Sequence, residues 1–269
     1  MSAAGLTLYV LHTDRNPEIA ADCVAAARWA STHTCSVLLV TPPGKSADYN
    51  SCGADLLYEN QAAVPAALVD FLFLDGLRHA IHAGVEFEQA VCARDDVAFL
   101  RPGVDDSVND LFYAERCDLI GVADRYYYGE QFMRVGAHLS RWRVPHEIWD
   151  RPPVVHTAQS AVFAMTYKLA REMFHRRLLM PPGFEQWPVS VGAYLTWVCQ
   201  LLMLQPYMRG SMDRPHAPFY VNDGWGGAYN TPPYLLHPNV LVYWSLRRVA
   251  GYSEADSRAW CKSLRQVNA

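Results

Sequence analysis

A chain of 269 residues, of which 51% are hydrophobic and 19% charged, has enough apolar side chains for one sizeable core. Its formal net charge of −4 gives no general attraction to nucleic acid, and its seven scattered cysteines, none in C-x-x-C spacing, argue against a zinc ribbon or a redox motif. No apolar run approaches the roughly 20 residues that span a bilayer, and the start lacks the basic region of a signal peptide. We therefore expect a cytoplasmic protein without a transmembrane segment.

The first part of the chain alternates predicted strands and helices. It opens with a buried apolar strand over residues 6–12. Asn16 and Pro17 then supply a cap and a first-turn proline for an alanine-rich helix. The remaining elements of this part are predicted strands at 35–41, 54–60, 88–96 and 117–124 and predicted helices at 64–83 and 104–115. Such alternation predicts an α/β fold of the Rossmann type, with a mostly parallel central sheet flanked by helices.

The composition of the chain changes at about residue 124. From there aromatic and arginine side chains are frequent, and few stretches show the apolar spacing of a helix or a strand. We expect an irregular binding region there. Ser253 and Asp256 resemble a capping box that opens a final helix. The other predicted elements of this part are a strand at 154–166, a strand with a glycine-rich loop at 217–230, a short apolar strand just before His237, and helices at 167–177 and 190–204. No repeat or linker stands out, so we treat residues 1–269 as one domain.

Polar side chains follow two of the predicted strands. Thr13 and Asp14 come after the first strand, and Asp95 and Asp96 end the fourth. Because ligands of parallel α/β sheets bind at the carboxyl ends of the strands, these residues should share one ligand-binding edge. No G-x-G-x-x-G follows the first strand, and no G-x-x-x-x-G-K-[ST] occurs. The absence of these motifs argues against a dinucleotide-binding Rossmann domain and against a P-loop nucleotide hydrolase.

The adjacent carboxylates of Asp95 and Asp96 fit two hypotheses. On an extended chain they point to opposite faces, and they meet one ligand only where the chain bends. They are either solvated acids in an ordinary turn, or oxygen ligands of a divalent cation. Hard cations such as Mg2+ and Mn2+ prefer such oxygens and take further ligands from the phosphates of a substrate.

The segment around these acids resembles the Asp-x-Asp segment of glycosyltransferases with the GT-A fold, whose pattern is Leu-Asp-x-Asp-Val-Val-Phe. Here residues 93–99 read Ala-Arg-Asp-Asp-Val-Ala-Phe. Asp96 matches the second aspartate, which binds the metal in that family. Arg94 stands where the family has its first aspartate. The resemblance then implies either that Asp95 takes over that role toward ribose or metal, or that the metal is held more weakly.

The resemblance extends over roughly residues 6–245 and implies a nucleotide-sugar donor. The loop after the first strand would hold the nucleotide, a basic side chain of the helix before the Asp-Asp strand would reach the diphosphate, and a later strand would contact the donor sugar. The implied nucleotide- and donor-binding residues are Thr13, Asp14, Arg15, Arg78, Asp95, Gln159 and Ser160. A late histidine would complete the metal shell, so the implied metal ligands are Asp96, Asp95 and His237. A histidine beside proline equally fits an ordinary loop.

A transferase that inverts configuration also needs a carboxylate base near the acceptor hydroxyl. The late Glu-Asp-Val segment of the family corresponds here to the stretch around Glu185, which is displaced from the start of the next helix. Asp223, in the glycine-rich loop, competes for the same role. Both also fit ordinary acids in a loop or a turn. The aromatic and arginine side chains of 125–151 would form the acceptor wall.

The resemblance implies a hexosyltransferase-like glycosyltransferase that moves a sugar from a nucleoside-diphosphate sugar to an acceptor hydroxyl with the help of Mn2+ or Mg2+. Residues 1–123 would bind the nucleotide, and residues 124–269 would bind a glycan, a lipid-linked or a small-molecule acceptor. A nucleotidyltransferase stays open as an alternative, although its early glycine-rich loop with a basic residue is missing. So does a non-catalytic GT-A-like nucleotide-binding protein, because Arg94 departs from the family pattern.

Overall fold

The computed structural model describes the chain at residues 6–60, 69–123, 158–180, 191–202, 206–208, 219–221, 240–244 and 253–267. Over these ranges it has one large, mostly parallel sheet with helices on both faces and a second, small sheet. The predicted fold class is thereby confirmed at the level of an α/β fold with a mostly parallel central sheet.

The first part of the chain supplies most of the large sheet. Asn16 caps the first helix as predicted, since its side-chain oxygen accepts a hydrogen bond from Ile19 N at 2.9 Å. Gly103, at a φ of 91°, turns the chain into the third helix, which has its predicted bounds. The elements are β1 (Thr7–His12), α1 (Pro17–Ala30), β2 (Cys35–Thr41), a 3-10 helix (Ser46–Tyr49), β3 (Leu56–Glu59), α2 (Phe71–His82), β4 (Gln89–Arg94), β5 (Ala98–Phe99), α3 (Val104–Glu115) and β6 (Leu119–Ala123).

The later elements are β7 (Ala158–Thr166), α4 (Tyr167–His175), α5 (Val191–Leu201), β8 (Pro206–Met208), β9 (Phe219–Val221), β10 (Val242–Trp244) and α6 (Glu254–Val267). The predicted capping box of α6 is confirmed. Asp256 N donates to Ser253 Oγ at 3.1 Å, and Ser253 N donates to Asp256 Oδ2 at 3.3 Å. No helix in the described ranges is long and apolar enough to cross a membrane.

The large sheet has the strand order β3-β2-β1-β4-β7-β6-β8. β7 runs antiparallel to β4 and β6, whereas the other neighbouring strands are parallel. The small sheet has the order β5-β10-β9 and places β5, which follows β4 directly, beside β10. The sequence does not predict the reversal of β7, because apolar spacing along a strand says nothing about the direction of its neighbours.

Side chains of the central strands alternate between two buried faces. Leu8 of β1 packs in the cluster on the α2 face, and the next residue, Tyr9, packs in the cluster on the α1 face. Because both faces are covered, the strands read as continuous apolar runs. Gly76 lets α2 lie close to the sheet, since a Cβ at this position would be 2.7 Å from Val40 Cγ2.

Candidate functional site

The strand order reverses at β1. The chain continues from β1 to β2 and β3 on one side, and it then returns to add β4 on the other side. In open α/β sheets ligands bind in the crevice outside the carboxyl ends of the strands at such a switch point. Here residues 13–15 follow β1 and residues 95–96 follow β4. The structure therefore brings the two predicted loops to the same edge.

Thr13 and Asp95 form a cross-strand pair at this edge. The parallel register sets His12 beside Arg94, and Asp95 N donates to His12 O at 3.0 Å. Because side chains alternate along a strand, the next residues, Thr13 and Asp95, point to a common face. Thr13 Oγ1 donates to Asp95 Oδ2 at 2.7 Å, and both side chains are buried. A direct side-chain contact thus joins the two loops.

The chain bends immediately after β4. Val97 N donates to Arg94 O at 3.2 Å, which closes a turn across Asp95 and Asp96. The exposed fraction of each aspartate is only 3%. The hypothesis of solvated acids is therefore wrong for this turn, although the residues do lie in a turn. Two buried acids at one bend meet the geometric condition under which neighbouring carboxylates can face a common ligand.

Burial raises the pKa of Asp95 to about 6, because the carboxylate loses water around its charge. The hydrogen bond from Thr13 and the charge of Arg15 lower this pKa, and the charges of Asp96 and Asp14 raise it. Arg15 Nε lies 3.6 Å from Asp95 Oδ1. Both oxygens of Asp95 thus face polar groups of the protein. Each carboxylate oxygen has a further lone pair, so a cation bound to this acid would share its oxygens with Thr13 and Arg15.

The last helix reaches the same turn. Arg258 of α6 donates through Nη2 to the backbone oxygen of Asp95 at 2.6 Å, across 163 residues of sequence. Arg15 and Arg258 both contact the carboxylate of Glu254. Sequence reasoning missed Glu254 and Arg258 as neighbours of the site. The capping box predicts where α6 begins, but no local pattern tells where the helix docks.

Arg94, which stands at the first aspartate position of the family pattern, turns to the opposite face of the sheet. Its guanidinium makes a two-pronged contact with the Asp70 carboxylate at the start of α2, with Nη2 at 2.6 Å from Oδ2. His12 lies on the same face and packs edge-on against Phe73 at 6.3 Å. Burial lowers the pKa of His12 to about 4. Arg94 therefore joins β4 to α2, whereas Asp95 faces the loop after β1.

Arg78, predicted to reach the diphosphate, lies on α2. Its Nη2 is 2.6 Å from Asp75 Oδ1, and the other oxygen of Asp75 accepts a hydrogen bond from Tyr58 at 2.8 Å. Asp70, which contacts Arg94 just before the turn, lies at the start of the same helix. Arg78 is eight residues further along, which corresponds to roughly 12 Å along the helix axis. The contacts of Arg78 are thus with Asp75 and Tyr58 rather than with the acids of the turn. Its role toward a diphosphate stays a prediction.

The other predicted residues are described in part or not at all. Gln159 and Ser160 are described as backbone within β7. Since β7 is antiparallel and Val162 pairs with Ala93 near the end of β4, the start of β7 lies toward the carboxyl edge. Three predicted site residues lie outside the described ranges: Glu185, Asp223 and His237. Asp14 is described and exposed in the loop after β1.

The metal-binding hypothesis rests on the turn acids. The described residues contain no group of three or more His, Cys, Asp or Glu side chains that could hold a metal ion. A hard cation needs only one or two carboxylates when phosphates and water supply the rest. The oxygen donors of Asp96 and Asp95 fit Mg2+ or Mn2+ in this sense. His237, the third ligand implied by the resemblance, lies outside the described residues.

No protein-family model matches the chain. No curated protein matches it significantly. The sequence pattern of residues 93–99 and the geometry at the carboxyl edge of the sheet are therefore the features that point to a function.

Proposed function

We propose that the protein is a metal-assisted glycosyltransferase that moves a sugar from a nucleoside-diphosphate sugar to an acceptor hydroxyl. The observation that carries this proposal is the pair of buried acids, Asp95 and Asp96, in a turn at the switch-point edge. Thr13 and Arg15 of the neighbouring loop contact the first of them. An edge with acids and a cationic loop side chain suits a phosphate-bearing ligand with a bound cation.

In this proposal Asp96 is the principal metal ligand, with Asp95 and His237 as further ligands. Mn2+ or Mg2+, when bound, supplies Lewis-acid stabilisation of the departing diphosphate. Thr13 orients Asp95 through its hydrogen bond of 2.7 Å. Because the turn is buried, charge interactions within it are stronger than the same interactions in bulk water.

The proposal assigns the donor to the loop after β1 and to the start of β7. Asp14 and Arg15 contact the nucleotide, and Gln159 and Ser160 contact the donor sugar. Arg78 supplies positive charge toward the diphosphate, which requires that it leave Asp75. The acceptor, which is a glycan, a lipid-linked or a small-molecule alcohol, lies against 125–151. Glu185 or Asp223 takes the proton from its hydroxyl in an inverting reaction.

Product analysis separates this proposal from its two alternatives. A glycosyltransferase breaks the bond between sugar and diphosphate and releases a nucleoside diphosphate. A nucleotidyltransferase attacks the α-phosphate of a nucleoside triphosphate and releases pyrophosphate. A non-catalytic nucleotide-binding protein binds a nucleotide without either product.

The test is a panel of nucleoside-diphosphate sugars incubated with Mn2+ and scored for release of the nucleoside diphosphate. We expect slow hydrolysis of donors with one kind of nucleotide, and we expect it to stop with a chelator. Asp96→Ala should lower the rate by roughly 100-fold or more, since several kcal/mol of leaving-group stabilisation would be lost. Pyrophosphate release from nucleoside triphosphates, or binding without turnover, would contradict the proposal in favour of the corresponding alternative.

A further inference from the structure

Two arginine side chains converge on one carboxylate beside the candidate site. Nη1 of Arg15 and both Nε and Nη2 of Arg258 contact the same oxygen of Glu254, the latter two at 2.9 and 2.8 Å. The exposed fractions of the three side chains are 15% for Arg15, 14% for Arg258 and 26% for Glu254. The arginines are thus largely withdrawn from water, and the carboxylate is the most exposed member of the trio.

This trio of Arg15, Arg258 and Glu254 has the arrangement of charges and donors that an anion-binding site requires. Guanidinium groups bind carboxylate and phosphate oxygens through the same planar donor geometry. Glu254 is also the first residue of α6, where the helix dipole and the first backbone N–H groups favour a negative charge. A phosphate group in the place of the Glu254 carboxylate would therefore find two arginines and a helix start already arranged around it.

The trio is continuous with the turn of the two acids. Arg15 Nε lies 3.6 Å from Asp95 Oδ1, and Arg258 Nη2 donates to the Asp95 backbone oxygen at 2.6 Å. The two arginines therefore contact the turn and Glu254 at the same time. An anion bound by them would lie next to the acids to which we assign the cation.

We propose that Arg15 and Arg258 form a phosphate-binding site in which Glu254 is an internal occupant, and that a phosphate-bearing ligand displaces this carboxylate. The charges stay compensated in both states, because the arginines exchange one anion for another. The displaced side chain, already the most exposed of the three, moves into water. Glu254, the first residue of α6, thereby competes with the ligand for the two arginines. The identification of the ligand as the diphosphate of a nucleotide sugar rests on the proposed function.

A matched set of variants tests this competition with inorganic pyrophosphate as the probe. Titration calorimetry on the full chain in the presence of a chelator measures anion binding without any metal. Glu254→Gln keeps the shape of the side chain but removes the competing charge, so we expect pyrophosphate affinity to rise by about tenfold. Glu254→Ala should give the same rise. Arg258→Gln should lower the affinity, also when combined with Glu254→Gln.

Glu172→Gln is the control, because Glu172 forms a comparable but exposed pair with Arg176 on α4. It should leave pyrophosphate affinity unchanged. If the trio is merely a structural ion network, Glu254→Gln will leave pyrophosphate affinity unchanged or lower it, and that result overturns the proposal. Failure of wild type and Glu254→Gln alike to bind pyrophosphate would overturn it as well. Circular dichroism of each variant checks that the fold is retained.

The metal-free probe keeps this inference distinguishable from the proposed function. Asp96→Ala should retain pyrophosphate binding in chelator, because that site is made of the two arginines. If Glu254→Gln raises pyrophosphate affinity while no nucleoside-diphosphate sugar is turned over, the anion site stands and the glycosyltransferase proposal fails. If turnover depends on Mn2+ and Asp96 but Glu254→Gln has no effect on pyrophosphate affinity, the proposed anion site fails and the glycosyltransferase proposal stands.

Discussion

At the residue scale, burial at one edge of the sheet shifts two protonation equilibria in opposite directions. It raises the pKa of Asp95 to about 6 and lowers the pKa of His12 to about 4. In both cases the charged form is disfavoured because it loses water. The two side chains belong to neighbouring strands but lie on opposite faces of the sheet. Single substitutions can therefore separate their effects.

Asp95→Asn should reveal the effect of the aspartate on stability. A carboxyl whose pKa is higher in the folded state stabilises the fold below its unfolded pKa, and this contribution disappears as the pH rises through the folded pKa. The free energy of unfolding of the wild type, relative to that of Asp95→Asn, should fall by up to about 3 kcal/mol between pH 4 and pH 7. Urea unfolding at a series of pH values measures this difference.

His12→Gln is the matched variant, for which the free energy of unfolding should change with pH in the opposite direction. Because the folded pKa of His12 is depressed, its neutral form stabilises the fold above pH 6.5, and this contribution is lost as the pH falls toward 4. Relative to His12→Gln, the wild type should therefore gain stability with rising pH, by about 3 kcal/mol over that window. Parallel pH profiles for wild type and both variants would contradict the assignment of these two shifts.

At the element scale, the ion pair between Arg94 and Asp70 joins the end of β4 to the start of α2. Arg94 thus stabilises the contact between β4 and α2 on the face of the sheet opposite to Thr13 and Asp95. The departure of this position from the family pattern is then compatible with an intact site, because Asp95 rather than Arg94 faces the loop after β1.

Arg94→Met should lower the free energy of unfolding by about 1.5–3 kcal/mol, since it leaves the Asp70 carboxylate without its charged hydrogen bonds. Chemical denaturation measures the change, and Arg176→Met, which removes an exposed pair, should change it by less than about 1 kcal/mol. The double variant Arg94→Met with Asp70→Asn should recover part of the loss. An Arg94→Met protein of unchanged stability that no longer binds nucleotide would contradict the structural role.

Elements with local signals could be predicted from the sequence. Asn16 predicts the start of α1 and Ser253 the start of α6, because each side chain accepts a hydrogen bond from a backbone N–H three residues later. The direction of β7 and the two-residue strand β5 have no such signal, because they depend on neighbours that are distant in the chain.

At the scale of the whole molecule, the candidate site is built from segments that are far apart in sequence. The register of β1 and β4 brings Thr13 to Asp95, and α6 then brings Arg258 to the same turn from 163 residues away. The general rule for parallel sheets was sufficient to predict that the loops after β1 and β4 share an edge. It could not predict the arginines and Glu254 of the α6 contact, because docking of a helix is decided by tertiary packing.

The central claim is that Asp96 holds a cation that strengthens the binding of a nucleoside diphosphate. Titration calorimetry with uridine diphosphate and other nucleoside diphosphates, each with and without Mn2+, tests it most directly. We predict that Mn2+ tightens binding by the wild type, that Asp96→Ala lowers the affinity measured with Mn2+ by at least about tenfold, and that Asp106→Ala, which removes an exposed acid on α3, leaves it unchanged. Metal-dependent binding that is as tight in Asp96→Ala as in the wild type, or no binding of any nucleoside diphosphate by the folded wild type, would contradict the claim.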